Sequence, residues 1–217
     1  MEIKFYGRSC FEIISKKGII ATDPYHEIPG LKNVDLKADI VTISHNHNDH
    51  NNSDAIKPAH KDKKPFVLSD PGEYEVSGIM IEGIASYHDD KKGAEHGRNT
   101  IFTFNIDGVK ICHLGDLGHQ LSDKQQDRIG EIDVLLIPVG GPASIEAEEA
   151  AKVIAQLEPK IAIPMHYKIS EKEGNLENVE KFLKEEGVNP EPIDFFSIDK
   201  NKLPEETKII VLKPHAK

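Results

Sequence analysis

Apolar residues in the first half of the chain come in short runs whose spacing predicts strands rather than helices. Such runs cover Ile3 to Tyr6, Phe11 to Ile14, Ile19 to Thr22, Ile40 to Ser44, Phe66 to Ser69, Ile79 to Ser86, Ile101 to Ile106 and Val109 to Leu114. Gly, Pro and Asp punctuate them, and Asp107-Gly108 between two apolar runs signals a hairpin. After Asp116 the pattern changes. Helical spacing over Asp123 to Ile129, Ile145 to Gln156 and Leu176 to Glu186 alternates with apolar strands at Val134 to Ile137 and Lys160 to Pro164. Ser144 with Glu148, and Asn175 with Asn178, are the capping signals for the last two helices. Mostly antiparallel β followed by alternating β and α implies an α/β fold, with two sheets packed face to face and helices outside.

Composition narrows the classes that remain. A chain of 217 residues with 38% hydrophobic content suits one globular domain over 1–217. No stretch approaches the roughly 20 apolar residues of a membrane span, and the first residues carry charges every few positions with no apolar leader. A soluble, cytoplasmic protein without a membrane partner is therefore expected. Cys10 and Cys112 are too few for a disulfide framework and read as buried reduced thiols. The formal net charge of -10 argues against a nucleic-acid partner, because affinity for that polyanion comes mainly from clustered Lys and Arg. Lys61-Asp62-Lys63-Lys64 reads as a solvated turn. A small-molecule substrate remains the expected partner; the sequence is silent on oligomeric state and compatible with a homo-oligomer.

The densest chemistry lies in SHNHNDHNN, Ser44 to Asn52, directly after the apolar run Ile40 to Ile43. A buried strand there delivers His45, His47, Asp49 and His50 to a loop at its C-terminal end. His45 and His47 are two apart, so in extended chain they project from one face toward a single ion. Asp49 and His50 point to a neighbouring place. Imidazole with carboxylate suits Zn, Mn, Fe or Ni, and the absence of a nearby Cys argues against a closed structural zinc site. The competing reading is a solvated His-rich loop.

The pattern His-x-His-x-Asp-His resembles the metallo-β-lactamase superfamily, and the chain is most similar to its small stand-alone metal-dependent hydrolases, the branch that includes the ascorbate-phosphate lactonase type. The resemblance extends through Thr22-Asp23-Pro24, His88 at a strand end, Gly115-Asp116-Leu117-Gly118, Pro138-Val139-Gly140-Gly141 and Pro164-Met165-His166-Tyr167. It implies a four-layer αββα sandwich with a binuclear metal site at one edge. Carried over by position, His45, His47 and His88 would hold one metal, Asp49, His50 and His166 the other, and Asp116 would bridge two divalent ions, Zn or Mn. Gly140 to Ser144 departs from the aromatic and Thr form of close relatives.

The residues add their own case. His88 ends one apolar run and His166 follows another, each where a strand delivers a ligand. His96, in a loop, and His113, within a strand and on the face opposite Asp116, compete with His88 for the third position. Asp23 either orients a ligand from behind or starts a turn. The resulting expectation is a hydrolase in which metal-activated hydroxide attacks a small ester, lactone or phosphoester, with Asp49 orienting the water. His119 either donates a hydrogen bond to the developing oxyanion or leaving group, or is an exposed loop histidine. The loop from Asp89 to Asn99, with Lys91, Lys92 and Arg98, is either a lid that meets an anionic substrate or a solvated loop. The alternative function is a non-catalytic metal-binding regulator or scaffold with the same fold.

Overall fold

The computed structural model describes residues 1–60 and 63–215. Lys61 and Asp62 of the expected basic turn fall outside the described residues; Lys63 and Lys64 are exposed. The N-terminal half forms β1 (Glu2–Gly7), β2 (Cys10–Ile14), β3 (Ile19–Thr22), β4 (Lys37–Ala38), β5 (Ile40–Thr42), β6 (Lys57–Pro58) and β7 (Phe66–Leu68). Then follow β8 (Gly72–Val76), β9 (Ile79–Tyr87), β10 (Arg98–Ile106), β11 (Val109–His113), α1 (Asp123–Ile129) and β12 (Val134–Pro138). The remainder is α2 (Ala147–Leu157), β13 (Ile161–Met165), α3 (Val179–Glu185), β14 (Phe196–Ser197) and β15 (Lys208–Ile209).

The strands make two large sheets, ordered β14-β1-β2-β3-β5-β7 and β15-β13-β12-β11-β10-β9-β8, with β4 and β6 as a separate pair. Alternation along the strands explains how the first sheet is covered. Phe5, Phe11, Ile20 and Ile40 join the core shared with the second sheet. Their neighbours Tyr6, Cys10, Ala21 and Val41 face the other way, into a smaller cluster with Tyr25, Ile28, Val34, Leu36 and Ile56. On this side the outer layer is therefore built by the 24–39 segment, β4, and the short turn at Ser53–Ala55. In α2, Ala150, Val153 and Leu157 are buried in the same core as β12 and β13. The result is the expected αββα sandwich.

Several local expectations shift. β5 and β7 run parallel to β3, so the first sheet is antiparallel only through β1, β2 and β3. The long connections 23–39 and 43–65 supply the chain length that parallel pairing needs. Helix α2 starts at Ala147 after Glu146, not at a Ser144 cap, and the Glu146 N–H donates to the Glu149 carboxylate at 3.3 Å. Helix α3 is capped at Asn178 and spans seven residues. The Asp107-Gly108 hairpin forms as read, both residues taking positive φ (53° and 78°) as a tight two-residue turn between β10 and β11 demands. Both cysteines are buried and free. Among the described residues no helix is long and apolar enough to cross a membrane.

Candidate metal centre

The site forms because several strand ends meet at one edge. β3 and β5 are parallel, so Asp23 and Ser44, each two or fewer residues beyond its strand, emerge side by side. In the second sheet β9, β11, β12 and β13 share one direction, since β10 is antiparallel to both β9 and β11. Their C-terminal ends present His88, Asp116 and His166 to the same place.

The loop after β5 is fixed from behind. Asp23 is fully buried, accepts the Ser44 N–H at 2.8 Å, and its other oxygen takes the Ser44 hydroxyl and the Nδ1 side of His50, the latter at 2.9 Å. Ser44 Oγ also sits 2.9 Å from His45 Nδ1. Both rings are thereby oriented through Nδ1, leaving Nε2 to face the cleft. Asp23, His45 and His50 lie close enough to form a ligand cluster of their own. With both its carboxylate oxygens occupied, however, Asp23 orients these histidines rather than joining them.

Asp116 is the centre. Its Oδ2 lies 3.1 Å from the Nε2 atoms of His50 and His166, 3.3 Å from that of His88 and 3.9 Å from that of His45. Its Oδ1 accepts from Ser9 Oγ at 3.2 Å and its N–H donates to Asn99 Oδ1 at 3.0 Å. Asn99 in turn donates to Ser86 Oγ and the Leu114 carbonyl. Gly115 turns the chain at φ +58°, and a Cβ there would collide with Asn99 and Ser44. His113 stands behind: its Nε2 donates to the Ser9 carbonyl at 2.9 Å and its Nδ1 accepts the Gly115 N–H. The reading of His113 as a supporting residue matches this placement.

Two further sets of side chains converge, His45 with His47 and His88, and Asp49 with His50 and His166. Asp49 Oδ2 is 3.5 Å from His50 Nε2 and 3.7 Å from His166 Nε2. All seven sequence-predicted ligands are thus brought together. The Nε2 atoms of His45, His50 and His166 are buried without a hydrogen-bond partner among the described residues. Buried polar atoms are rarely left so. Nitrogen and carboxylate donors without sulfur fit divalent Zn, Mn, Fe or Ni.

His119 is not brought in. Its Nε2 accepts the Tyr87 N–H at 3.2 Å and its Nδ1 donates to the Gln120 carbonyl, so neither nitrogen is left for a substrate. His96 packs its ring 5.5 Å from that of His88 without joining either set. The 89–96 loop is knotted by Asp89, whose carboxylate accepts the backbone N–H groups of Lys91, Gly93, Glu95 and His96. Lys91 pairs with Glu95 rather than facing the cleft.

Burial pushes His45 down to about 3, so its imidazole is neutral at physiological pH. Burial also opposes charge on His50, but the Asp116 carboxylate overrides it and raises His50 well above the usual histidine range. In the metal-free protein this His50–Asp116 pairing stabilises the fold fully below about pH 6.5, and the contribution is lost only as pH rises through the raised value. A metal must displace that proton. The gain in Tm on adding Zn should therefore grow between about pH 5.5 and about pH 8; a gain independent of pH would count against His50 as a ligand.

The comparisons with known proteins agree with this geometry. The description "Beta-lactamase superfamily domain" matches residues 2–166. The chain belongs to the metallo-β-lactamase superfamily. It is 30% identical over 192 residues to a protein of Thermococcus onnurineus named a UPF0173 metal-dependent hydrolase, covering 77% of this chain and 84% of that one. It is 29% identical to the similarly named protein of Thermoplasma acidophilum, over 77% and 83% of the two chains. A crystal structure from Thermotoga maritima, described as a Zn-dependent hydrolase of the superfamily, matches with a TM-score of 0.78 and 37% identity over 97% of both chains. The metallo-hydrolase Igni18 of Ignicoccus hospitalis shares the fold, with a TM-score of 0.64 at 20% identity over 99% of this chain and 96% of its own. The chain is a metal-dependent hydrolase of this superfamily.

Of the two readings of Asp23, a turn starter or a residue that orients a ligand from behind, the contact with His50 Nδ1 at 2.9 Å fits the second. Asp23→Ala would strand the buried Ser44 N–H and His50 Nδ1, costing about 3 kcal/mol of stability. Metal affinity should fall about ten- to a hundredfold. Urea unfolding and a metal titration check both numbers, and an unchanged affinity would remove Asp23 from the site.

Proposed function

We propose that the protein hydrolyses a small ester, lactone or phosphoester, with one Zn or Mn ion held by His45, His47 and His88 and a second by Asp49, His50 and His166. The supporting observation is Asp116 Oδ2, which faces imidazoles of both sets while three buried Nε2 atoms have no other partner. Divalent ions there supply Lewis acidity and make hydroxide available near neutral pH. The chain does the rest. Asp116 belongs to both sets, Asp49 holds and orients the attacking water from the open side, and Asp23, Ser9 and Asn99 keep the ligands in place. His119 is given a bracing part beside His88 through Tyr87. A single domain over 1–217 and a small-molecule substrate complete the reading. Turnover of ester, lactone, thioester and phosphodiester panels by Zn- or Mn-loaded protein, compared with Asp116→Ala, tests it. Activity that chelation removes and added metal restores supports it; no turnover above the variant on any panel rejects it.

A further inference from the structure

The turn between β1 and β2, Gly7-Arg8-Ser9-Cys10, serves the metal centre with two of its groups. Ser9 Oγ donates to Asp116, and the Arg8 carbonyl accepts the His166 N–H at 2.8 Å. The Arg8 side chain is left over. Its backbone takes φ +52°, in the left-handed region that L-residues seldom adopt. Its side chain is only 12% exposed, and Nε is buried without a hydrogen-bond partner among the described residues. Its one ionic contact is Nε to Glu173 Oε1 at 3.4 Å. The Glu173 side chain is 0% exposed and is anchored through Oε2 by the Ile169 and Ser170 N–H groups, at 2.7 Å each.

A structural arginine–carboxylate pair is normally bidentate, with N···O distances of about 2.7 to 2.9 Å. This one is neither. A buried Nε–H without a hydrogen bond is costly, and the planar fork it belongs to has donors to spare for an acceptor at its side. Arg8 lines a cavity of about 220 Å³ together with His47, Asp49, His88, Asp116 and His166, so its donors border the same space as the ligands. We propose that Arg8 binds an oxyanion, carboxylate or phosphate, carried by the substrate beside the reacting bond, and that Glu173 positions the guanidinium for it. This rests on the hydrolase reading above and makes the substrate class anionic. Since Glu173 offsets the charge of Arg8, selection comes from the planar fork of donors. A lysine in its place should not substitute.

The test uses the metal-loaded full chain and three esters that share a leaving group: 4-nitrophenyl butyrate, mono-4-nitrophenyl succinate and 4-nitrophenyl 3-phosphonopropionate. The wild type should prefer a charged ester, and whichever of the two it favours identifies the oxyanion. Arg8→Lys and Arg8→Met should raise KM for that ester about ten- to a hundredfold, with kcat and the neutral ester little changed. A second readout needs no turnover: succinate or inorganic phosphate should raise the Tm of the wild type and not of the variants. If Arg8→Met unfolds because Glu173 is stranded, the double variant Arg8→Met, Glu173→Gln restores a neutral pair and takes its place. Equal loss on charged and neutral esters, or unchanged KM in Arg8→Lys, overturns the assignment while leaving the hydrolase intact. Protection by succinate or phosphate that Arg8→Met abolishes, without turnover of any of the esters, keeps Arg8 as the anion site and removes esters from the substrate reading.

Discussion

Asp116→Ala should abolish hydrolysis, with kcat/KM falling about a thousandfold or more and metal content dropping in both positions. Its carboxylate reaches both ligand sets at short range: Oδ2 is within 3.3 Å of His50, His88 and His166. Burial would by itself raise its pKa, yet His166 and His50 beside it hold the carboxylate well below the usual range. It therefore offers a permanent negative charge to whatever the histidines bind. Removing it takes one of three carboxylates from His50, and Asp23 and Asp49 stay beside that ring, so the fold should survive without a buried unpaired charge. Asp116→Asn separates charge from shape. It keeps the volume and an acceptor for Ser9 Oγ, so a loss as deep as that of Ala assigns the effect to charge. Circular dichroism and elemental analysis accompany the assay; a folded Asp116→Ala protein that keeps its metal and a tenth of its activity would contradict the assignment.

The convergence of these candidate ligands was legible in the sequence because several stand at strand ends, where an apolar run stops and a polar residue begins. His45, His88 and His166 each have that signature, and the motif resemblance supplied their order. The supporting residues lack it. Asp23 looks like any Asp-Pro turn, and its role depends on β3 pairing in parallel with β5, a long-range register that local periodicity does not encode. Ser9 and Asn99 reach Asp116 across 107 and 17 residues. In the fold, β8 went unread although Ser77-Gly78 is a two-residue turn of the same kind as Asp107-Gly108, with φ of 55° and 75°. Strands of two residues such as β4 and β14 exist only through their partners, so no pattern announces them. His119 shows the converse. It follows the Gly-Asp-Leu-Gly segment closely enough to suggest chemistry, but the chain turns it onto the Tyr87 and Gln120 backbone.

Asp49→Ala should weaken one metal position and spare the other. Asp49 differs from Asp116 in exposure, its side chain being 31% accessible on the open side of the cleft. Burial alone would raise its pKa, but the neighbouring His166 and His50 lower it far below the usual range, so it too is a standing carboxylate. Losing it strips the set with His50 and His166 of its hard oxygen donor, while His45, His47 and His88 form a set of three nitrogens that does not include Asp49. Because Asp49 is partly solvated and held mainly by the two histidines, the cost to folding should stay near about 1 kcal/mol. That contrasts with Asp23→Ala, where buried donors are stranded. On the proposed two-ion reading, metal content by mass spectrometry should fall to about half, and hydrolysis by about a thousandfold, because the attacking water would lose both an ion and the group that orients it. Equal metal content in wild type and variant, with activity retained, would show that Asp49 is not a ligand and that the second position lies elsewhere.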